Sequence, residues 1–145
     1  YIRGSFHSMK TTTSSTNLQY AVVEGVSFGI LDGVNSILKV NKNFEKIFMV
    51  GGGSKSKFWI ELLASLLNRK LSVCDQSEFG AALGVARLSM YVDKNIDTKE
   101  NIIKEINVSK SFNPNQDKID LLLKRYNIWR DIYSSNKKIA SNLLA

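Results

Sequence analysis

One cysteine, one histidine and one proline in 145 residues exclude several classes of protein. Cys74 has no second cysteine to pair with, so no disulfide can form within the chain, which fits a reducing, cytoplasmic setting. At the end of a short apolar run, its default state is a buried, inert thiol. His7 has no cysteine or carboxylate neighbours at metal-ligand spacing, so it reads as a structural or surface residue and no metal ligands are assigned. The carboxylates are scattered, with no evident acid/base pair, and no catalytic residue is assigned. Internal repeats and low-complexity tracts are missing too. No charged segment followed by an apolar one marks a secretory signal. The chain opens at Tyr1 rather than a methionine, and the expectation is a fragment or a cut domain.

What is present is ordinary for a water-soluble domain: 43% hydrophobic and 23% charged residues. The length suits one domain, 1–145, with one core. The net charge is +7. Its densest region, 34–70, holds Lys39, Lys42, Lys46, Lys55, Lys57, Arg69 and Lys70 against Glu45 and Glu61. These charges form no dense run and alternate with no aromatics. A lysine-rich solvated face is therefore favoured over nucleic-acid binding, and a mild field for an anionic small ligand is a third reading.

Residues 1–9 alternate aromatic and polar around Gly4 and read as a strand entering a loop. Asn17 is a plausible N-cap without a capping box, and 18–40 a long helix with Val22, Val26, Ile30, Val34 and Ile37 at helical spacing. Gly25, Gly29 and Gly33 share one face of it. Each costs about 1 kcal/mol against alanine, which close approach of another backbone would offset. A membrane reading of this glycine spacing is rejected, because Glu24 and Asp32 interrupt the apolar run. Residues 47–50 suit a buried strand, 56–68 an amphipathic helix with Glu61, Ser65 and Asn68 opposite its apolar face, 71–74 a second strand, and 78–91 another helix with Gly80 and Gly84. A parallel α/β sheet is the first expectation. The stretch 93–114 is polar, with one possible short helix at 99–106. A final helix runs from 116 to about 134 and on weakly, giving a C-terminal helical region 115–145. Its stripe Ile119, Leu122, Tyr126, Trp129 and Tyr133 packs within the domain or forms a partner seam, with the first favoured.

The chemistry concentrates at 47–59, where a buried strand meets three glycines and a helix N-terminus. Glycines let the chain turn sharply and let a ligand lie against the main chain, and the helix start offers unpaired N–H groups. Nucleotide binding and a plain tight turn are both open at this point. Two phosphate motifs fail. Ser56 stands where a dinucleotide fingerprint needs its third glycine, and Met49 and Ser54 occupy both glycine positions of a P-loop. Asp75 and Glu78 lie nearest the sheet's carboxyl end, where the plainer readings are a turn residue and a favourable first-turn charge.

Together these segments resemble a known family. Gly4-Ser5-Phe6, Asn17-Leu18 and Ala21-Val22-Val23-Glu24-Gly25 are similar to the second signature of the FGGY carbohydrate kinases, with Ser8 where that signature has glycine. Gly51 to Trp59 resembles the family's adenosine motif, and Ala82 to Leu88 the helix after it. Arg125 to Tyr133 resembles the tail helix of xylulokinases.

The resemblance implies the C-terminal portion of an actin-like, ribonuclease-H-like α/β ATPase domain, incomplete at its N-terminal side. It implies ATP and Mg2+ as cofactors, with nucleotide contacts at Gly51, Gly52, Gly53 and Ser54. Lys57 would reach the adenine or point to solvent. Phe58 and Trp59, on the apolar face of their helix, are assigned to the core, and Gly80 and Gly84 would belong to close helix packing. The sugar, with xylulose the best guess, and the catalytic aspartate would belong to an N-terminal domain outside this chain, so these residues alone would not run the transfer. The alternative is a non-catalytic module of the same fold that binds a nucleotide or a partner. Neither nucleic acid nor membrane is an expected partner, and exposed apolar surface would favour a homodimer.

Overall fold

Residues 4–40, 46–75, 77–92 and 107–142 are described by a computed structural model. They fall into two units, Tyr1–Lys42 with Gln116–Ala145, and Asn43–Asn115.

The first unit is built on two long helices, α1 (Ser15–Val40) and, last in the chain, α4 (Gln116–Asn142). Ser14, not Asn17, caps α1. The Ser14 hydroxyl accepts the Asn17 N–H at 3.2 Å, and the Asn17 Oδ1 accepts the Ser14 N–H at 3.0 Å. This is a reciprocal capping box with asparagine in the usual glutamate position. Residues 4–9 are exposed and belong to no strand, contrary to the alternating pattern. Aromatic and polar alternation forms a strand only with a ladder partner, and none pairs with them among the described residues. Residues 1–3 of that expectation lie outside the described residues.

The buried face of α1 carries Glu24, Ser27, Phe28 and Leu31. The stripe at helical spacing is largely exposed, at 52% for Val22, 50% for Val26 and 58% for Ile37. Apolar residues surround α1, and the aromatic stripe of α4 decides which side is covered. The Phe28 ring lies 5.8 Å from that of Tyr126 and 6.0 Å from that of Trp129. Within α4, Tyr126 stacks on Trp129 at 6.1 Å. Such ring pairs add about 0.5–1.5 kcal/mol beyond burial. The seam of α4 thus packs within its own unit. A Cβ on Gly25 would rest in ordinary contact with Trp129 at 3.9 Å, whereas Gly29 and Gly33 have nothing within 4 Å. The expected glycine stripe is a packing face at its first member.

In the second unit, β1 (Ile47–Met49) leads through a 3-10 turn, Gly52–Lys55, into α2 (Lys57–Leu67), β2 (Leu71–Cys74), a second 3-10 turn, Ser77–Phe79, α3 (Gly80–Val92) and β3 (Val108–Phe112). The sheet order is β1-β2-β3. Strands β1 and β2 are parallel, with Ile47 opposite Leu71, as the strand-helix-strand order requires. Strand β3 is antiparallel to β2, with Leu71 opposite Phe112, so the sheet is mixed rather than parallel. Val-Ser-Lys-Ser-Phe lacks an apolar run because β3 is an exposed edge. Its serines serve the ladder. Ser109 Oγ donates to the Val73 carbonyl at 3.0 Å, and the Ser111 hydroxyl faces that of Ser72 at 3.5 Å. The short helix expected at 99–106 lies outside the described residues.

Ile60, Leu63, Ala64, Leu71 and Val73 form the core, flanked by Ile47, Met49, Trp59, Leu67 and Phe112. Burying a leucine or isoleucine contributes about 1.5–3 kcal/mol, so α2 and β2 anchor this unit. Helix α2 is buried more widely than its pattern suggests. Ser65, read as lying opposite the apolar face, is 2% exposed. Its hydroxyl donates to the Glu61 carbonyl at 2.8 Å and accepts the Asn115 N–H at 3.0 Å, so its burial leaves no polar atom orphaned. Asn68 ends α2 in the left-handed region (φ 47°), a conformation that asparagine tolerates. Phe58, assigned to the core from its helix face, is 50% exposed.

Candidate functional site

Strand β1 delivers the chain to Gly51, whose φ of 82° and ψ of −172° lie where a side chain is strained. The 3-10 turn that follows is fixed from within. The Ser54 N–H and hydroxyl both donate to the Gly51 carbonyl, at 3.0 and 2.7 Å. It is also fixed from the second 3-10 turn. The Gly51 N–H donates to the Ser77 carbonyl at 2.8 Å, and the Ser77 hydroxyl donates to Ser54 Oγ at 2.8 Å. Both serines are buried, and each hydroxyl has its partner. The Ser56 side chain caps α2 by accepting the Trp59 N–H at 3.3 Å.

The three glycines separate in role. A Cβ on Gly53 would meet the Trp59 ring at 2.7 Å and the Met49 methyl at 3.0 Å, so this glycine is used by the packing beneath the loop. Around Gly51 and Gly52 nothing stands within 4 Å of where a Cβ would be, and Gly52 is exposed. The open main-chain face is therefore Gly51–Gly52, with Ser54 buried behind it. Gly80 faces Val50, whose Cβ would stand 2.9 Å from a methyl on it, while Gly84 has open space. The close packing expected of these two belongs to Gly80.

Charges border the loop. Lys55 Nζ lies 3.8 Å from Glu78 Oε1, and Lys57 Nζ 3.6 Å from Glu61 Oε1. The two lysines are largely solvated, so each pair contributes about 0–1 kcal/mol and either ammonium can turn to an anion. Among the described residues, no three histidine, cysteine or carboxylate groups gather as metal ligands. Burial raises the Cys74 thiol above its ordinary range, reinforced by Asp75, which keeps the thiolate scarce. His7 Nε2 lies 2.8 Å from the Ser5 hydroxyl, at the surface.

Sequence reasoning missed Ser77, Ser56 and Glu24. Ser77 is a small polar residue in a turn and gives no signal of its own, whereas Ser56 carries one, a serine immediately before an amphipathic helix. Glu24 is inside a helix, 6% exposed, with Arg125 Nη2 3.1 Å from its Oε2 and no hydrogen-bond partner at Oε1. Burial raises its pKa, opposed by the charge of Arg125 and a hydrogen bond from Tyr20.

Known proteins are similar to this chain in sequence and fold. The model of the FGGY family of carbohydrate kinases, C-terminal domain, matches residues 1–92. A xylulose kinase from Staphylococcus epidermidis is 29% identical over 144 residues, covering 99% of this chain and 29% of that protein. One from Lactococcus lactis is 27% identical over 146 residues, covering 99% and 29%. Among solved structures, a xyloylose kinase from Brucella ovis superposes with a TM-score of 0.80 at 28% identity, covering 95% of this chain and 28% of that one. The chain therefore spans less than a third of the length of these relatives. By the match of the family model to more than half of its residues, the chain belongs to the FGGY family of carbohydrate kinases.

Proposed function

We propose that these residues form the ATP-binding C-terminal part, 1–145, of a kinase that phosphorylates a sugar, with xylulose as its substrate. The open main chain at Gly51–Gly52, braced by the Ser77 and Ser54 hydrogen bonds, supports this reading most directly. A flat adenosine group can approach a backbone that carries no Cβ. Gly51 and Gly52 would hold it, Ser54, whose N–H and hydroxyl are both given to the Gly51 carbonyl, would brace them from behind rather than touch it, Gly53 would shape the loop from below, and Lys57 at its border would offer a cation. When bound, ATP supplies the phosphoryl group. This chain's own part is to bind and orient it, since such transfer depends on positioning and electrostatics. Magnesium is expected with ATP. The described residues show no ligand cluster for it, and no step is assigned through it. The likeness to sugar kinases supports an actin-like ATPase fold and a cytoplasmic setting. The isolated chain is expected to be inactive.

Calorimetric titration with ATP and ADP tests the site. Weak binding, abolished by Gly52→Trp with an unchanged melting temperature, is expected, because Gly52 has room for a side chain. Binding that survives Gly52→Trp would remove the adenosine group from this loop.

A further inference from the structure

Much of the hydrogen bonding of the glycine loop is turned inward. The Gly51 N–H goes to the Ser77 carbonyl, and the Gly51 carbonyl accepts both the N–H and the hydroxyl of Ser54. The Gly53 carbonyl accepts the Ser56 N–H at 3.1 Å. The bare main chain at Gly51–Gly52 thus supplies a flat surface, and hydrogen-bond selectivity falls to the side chains at its border. Two ion pairs stand there. Lys57–Glu61 runs along α2 at 3.6 Å. Lys55–Glu78 instead joins the two 3-10 turns, at 3.8 Å. Glu78 directly follows Ser77, the residue that holds Gly51. Its side chain, 35% exposed, is the least solvated of the four, so ordering it around a ligand costs the least entropy. A carboxylate has about four acceptor sites. An ammonium at 3.8 Å lies beyond the ~2.7–2.9 Å of a charge-assisted hydrogen bond and leaves those sites to a donor. The same negative charge repels phosphate, so the phosphates of a nucleotide on this loop point away from Glu78. The base and the ribose remain to face it. Two adjacent ribose hydroxyls match the two oxygens of one carboxylate, whereas the adenine edge presents a single amino group. An acidic side chain takes that role toward ribose in dinucleotide-binding folds. The whole arrangement lies within the unit Asn43–Asn115.

We propose that the Glu78 carboxylate accepts hydrogen bonds from the vicinal ribose hydroxyls of a nucleotide lying on Gly51–Gly52, and so makes the site selective for ribonucleotides. This rests on the reading of the loop as a nucleotide site. The test is a titration of the chain with ATP and with 2′,3′-dideoxy-ATP, read at the Gly53 amide by NMR, for the wild type and for Glu78→Met. Methionine keeps the length of the side chain and removes both acceptor oxygens. Glu61→Met removes the other carboxylate at the border and controls for a general loss of negative charge. The wild type is expected to bind ATP about tenfold more tightly than the dideoxy analogue, the scale of hydrogen bonds to a charged group. Glu78→Met is expected to bind the two alike, through weaker binding of ATP, with its melting temperature unchanged. Glu61→Met is expected to keep the wild-type ratio. Equal affinities in the wild type would overturn the proposal without recourse to a variant. So would a preference for ATP that survives Glu78→Met, or one that Glu61→Met abolishes equally. Loss of discrimination between ATP and inosine triphosphate in Glu78→Met, with the ribose preference intact, would move the carboxylate to the base and overturn it too. In each of these cases abolition of binding by Gly52→Trp keeps the nucleotide on the loop. Binding that survives Gly52→Trp, or no binding of ATP by the wild type, removes the nucleotide and the ribose contact together.

Discussion

The two units solve the problem of burial differently. Residues 43–115 close around a continuous apolar core between α2 and a three-stranded sheet, with serines satisfying the few polar groups taken inside. The helix pair of the other unit is joined by a short aromatic cluster and by polar contacts, among them a buried glutamate with one oxygen unpartnered. The first arrangement depends on volume, which is non-directional and additive in area. The second depends on particular pairs, whose strength changes with protonation and geometry.

The sharpest way to break this comparison is to remove one large side chain from each unit. Phe28→Ala is expected to cost about 3–5 kcal/mol, and Leu63→Ala about 2–5 kcal/mol. Urea unfolding followed separately by Trp129 and Trp59 fluorescence, each in the Phe variant of the other, measures both. Equal shifts of both probes with either variant would show that the units unfold together. Gly53→Ala comes next. Its methyl would press on the Trp59 ring, and overpacking of this kind costs about 1–3 kcal/mol, read as a lowered urea midpoint. A value below about half a kcal/mol would mean that the ring moves aside. Tyr126→Phe removes the hydroxyl that donates to Asp32 and lies 3.5 Å from the Asn35 amide, for a loss of about 1 kcal/mol in the same assay.

The smallest effect is on pH dependence. The Glu24 carboxyl is held above its ordinary value of 4.5, chiefly by burial. Its protonated form is thus favoured in the fold. The associated stability is fully present below 4.5 and is lost as pH rises through the elevated value. Glu24→Gln cannot ionise and is expected to flatten that decline, with little change at low pH. Thermal melting from about pH 4 to about pH 8 checks the sign, and a steeper decline in the variant would reverse it.

Much of the second unit was legible because its signals are local. The apolar run 47–50, the glycines that stop it and the leucine-rich face of 56–68 each satisfy a short-range rule, and the loop at Gly51–Ser54 stands where they meet. Strand β3 was not legible, since an exposed edge needs no apolar alternation and its partner lies far off in sequence. The burial side of α1 was not legible for a related reason. The valines and isoleucines cluster on one side of the helix, yet the side that faces α4 is the one carrying Phe28, matched to Tyr126 and Trp129. The split among the glycines was equally hidden. Gly53 owes its identity to Trp59, which lies beyond the turn and inside α2.

The hydrogen bonds at the glycine loop have an evolutionary consequence. Ser77 donates to Ser54, Ser54 to the Gly51 carbonyl, and the Gly51 N–H returns to the Ser77 carbonyl. Losing the Ser54 hydroxyl alone would strand the buried one at Ser77, whereas losing both together exchanges a satisfied pair for two methyl groups and is close to neutral. The two positions, 23 residues apart, should therefore drift as a pair through intermediates that are rarely tolerated. A lineage with alanine at 54 is expected to carry a non-hydroxyl residue at 77 as well.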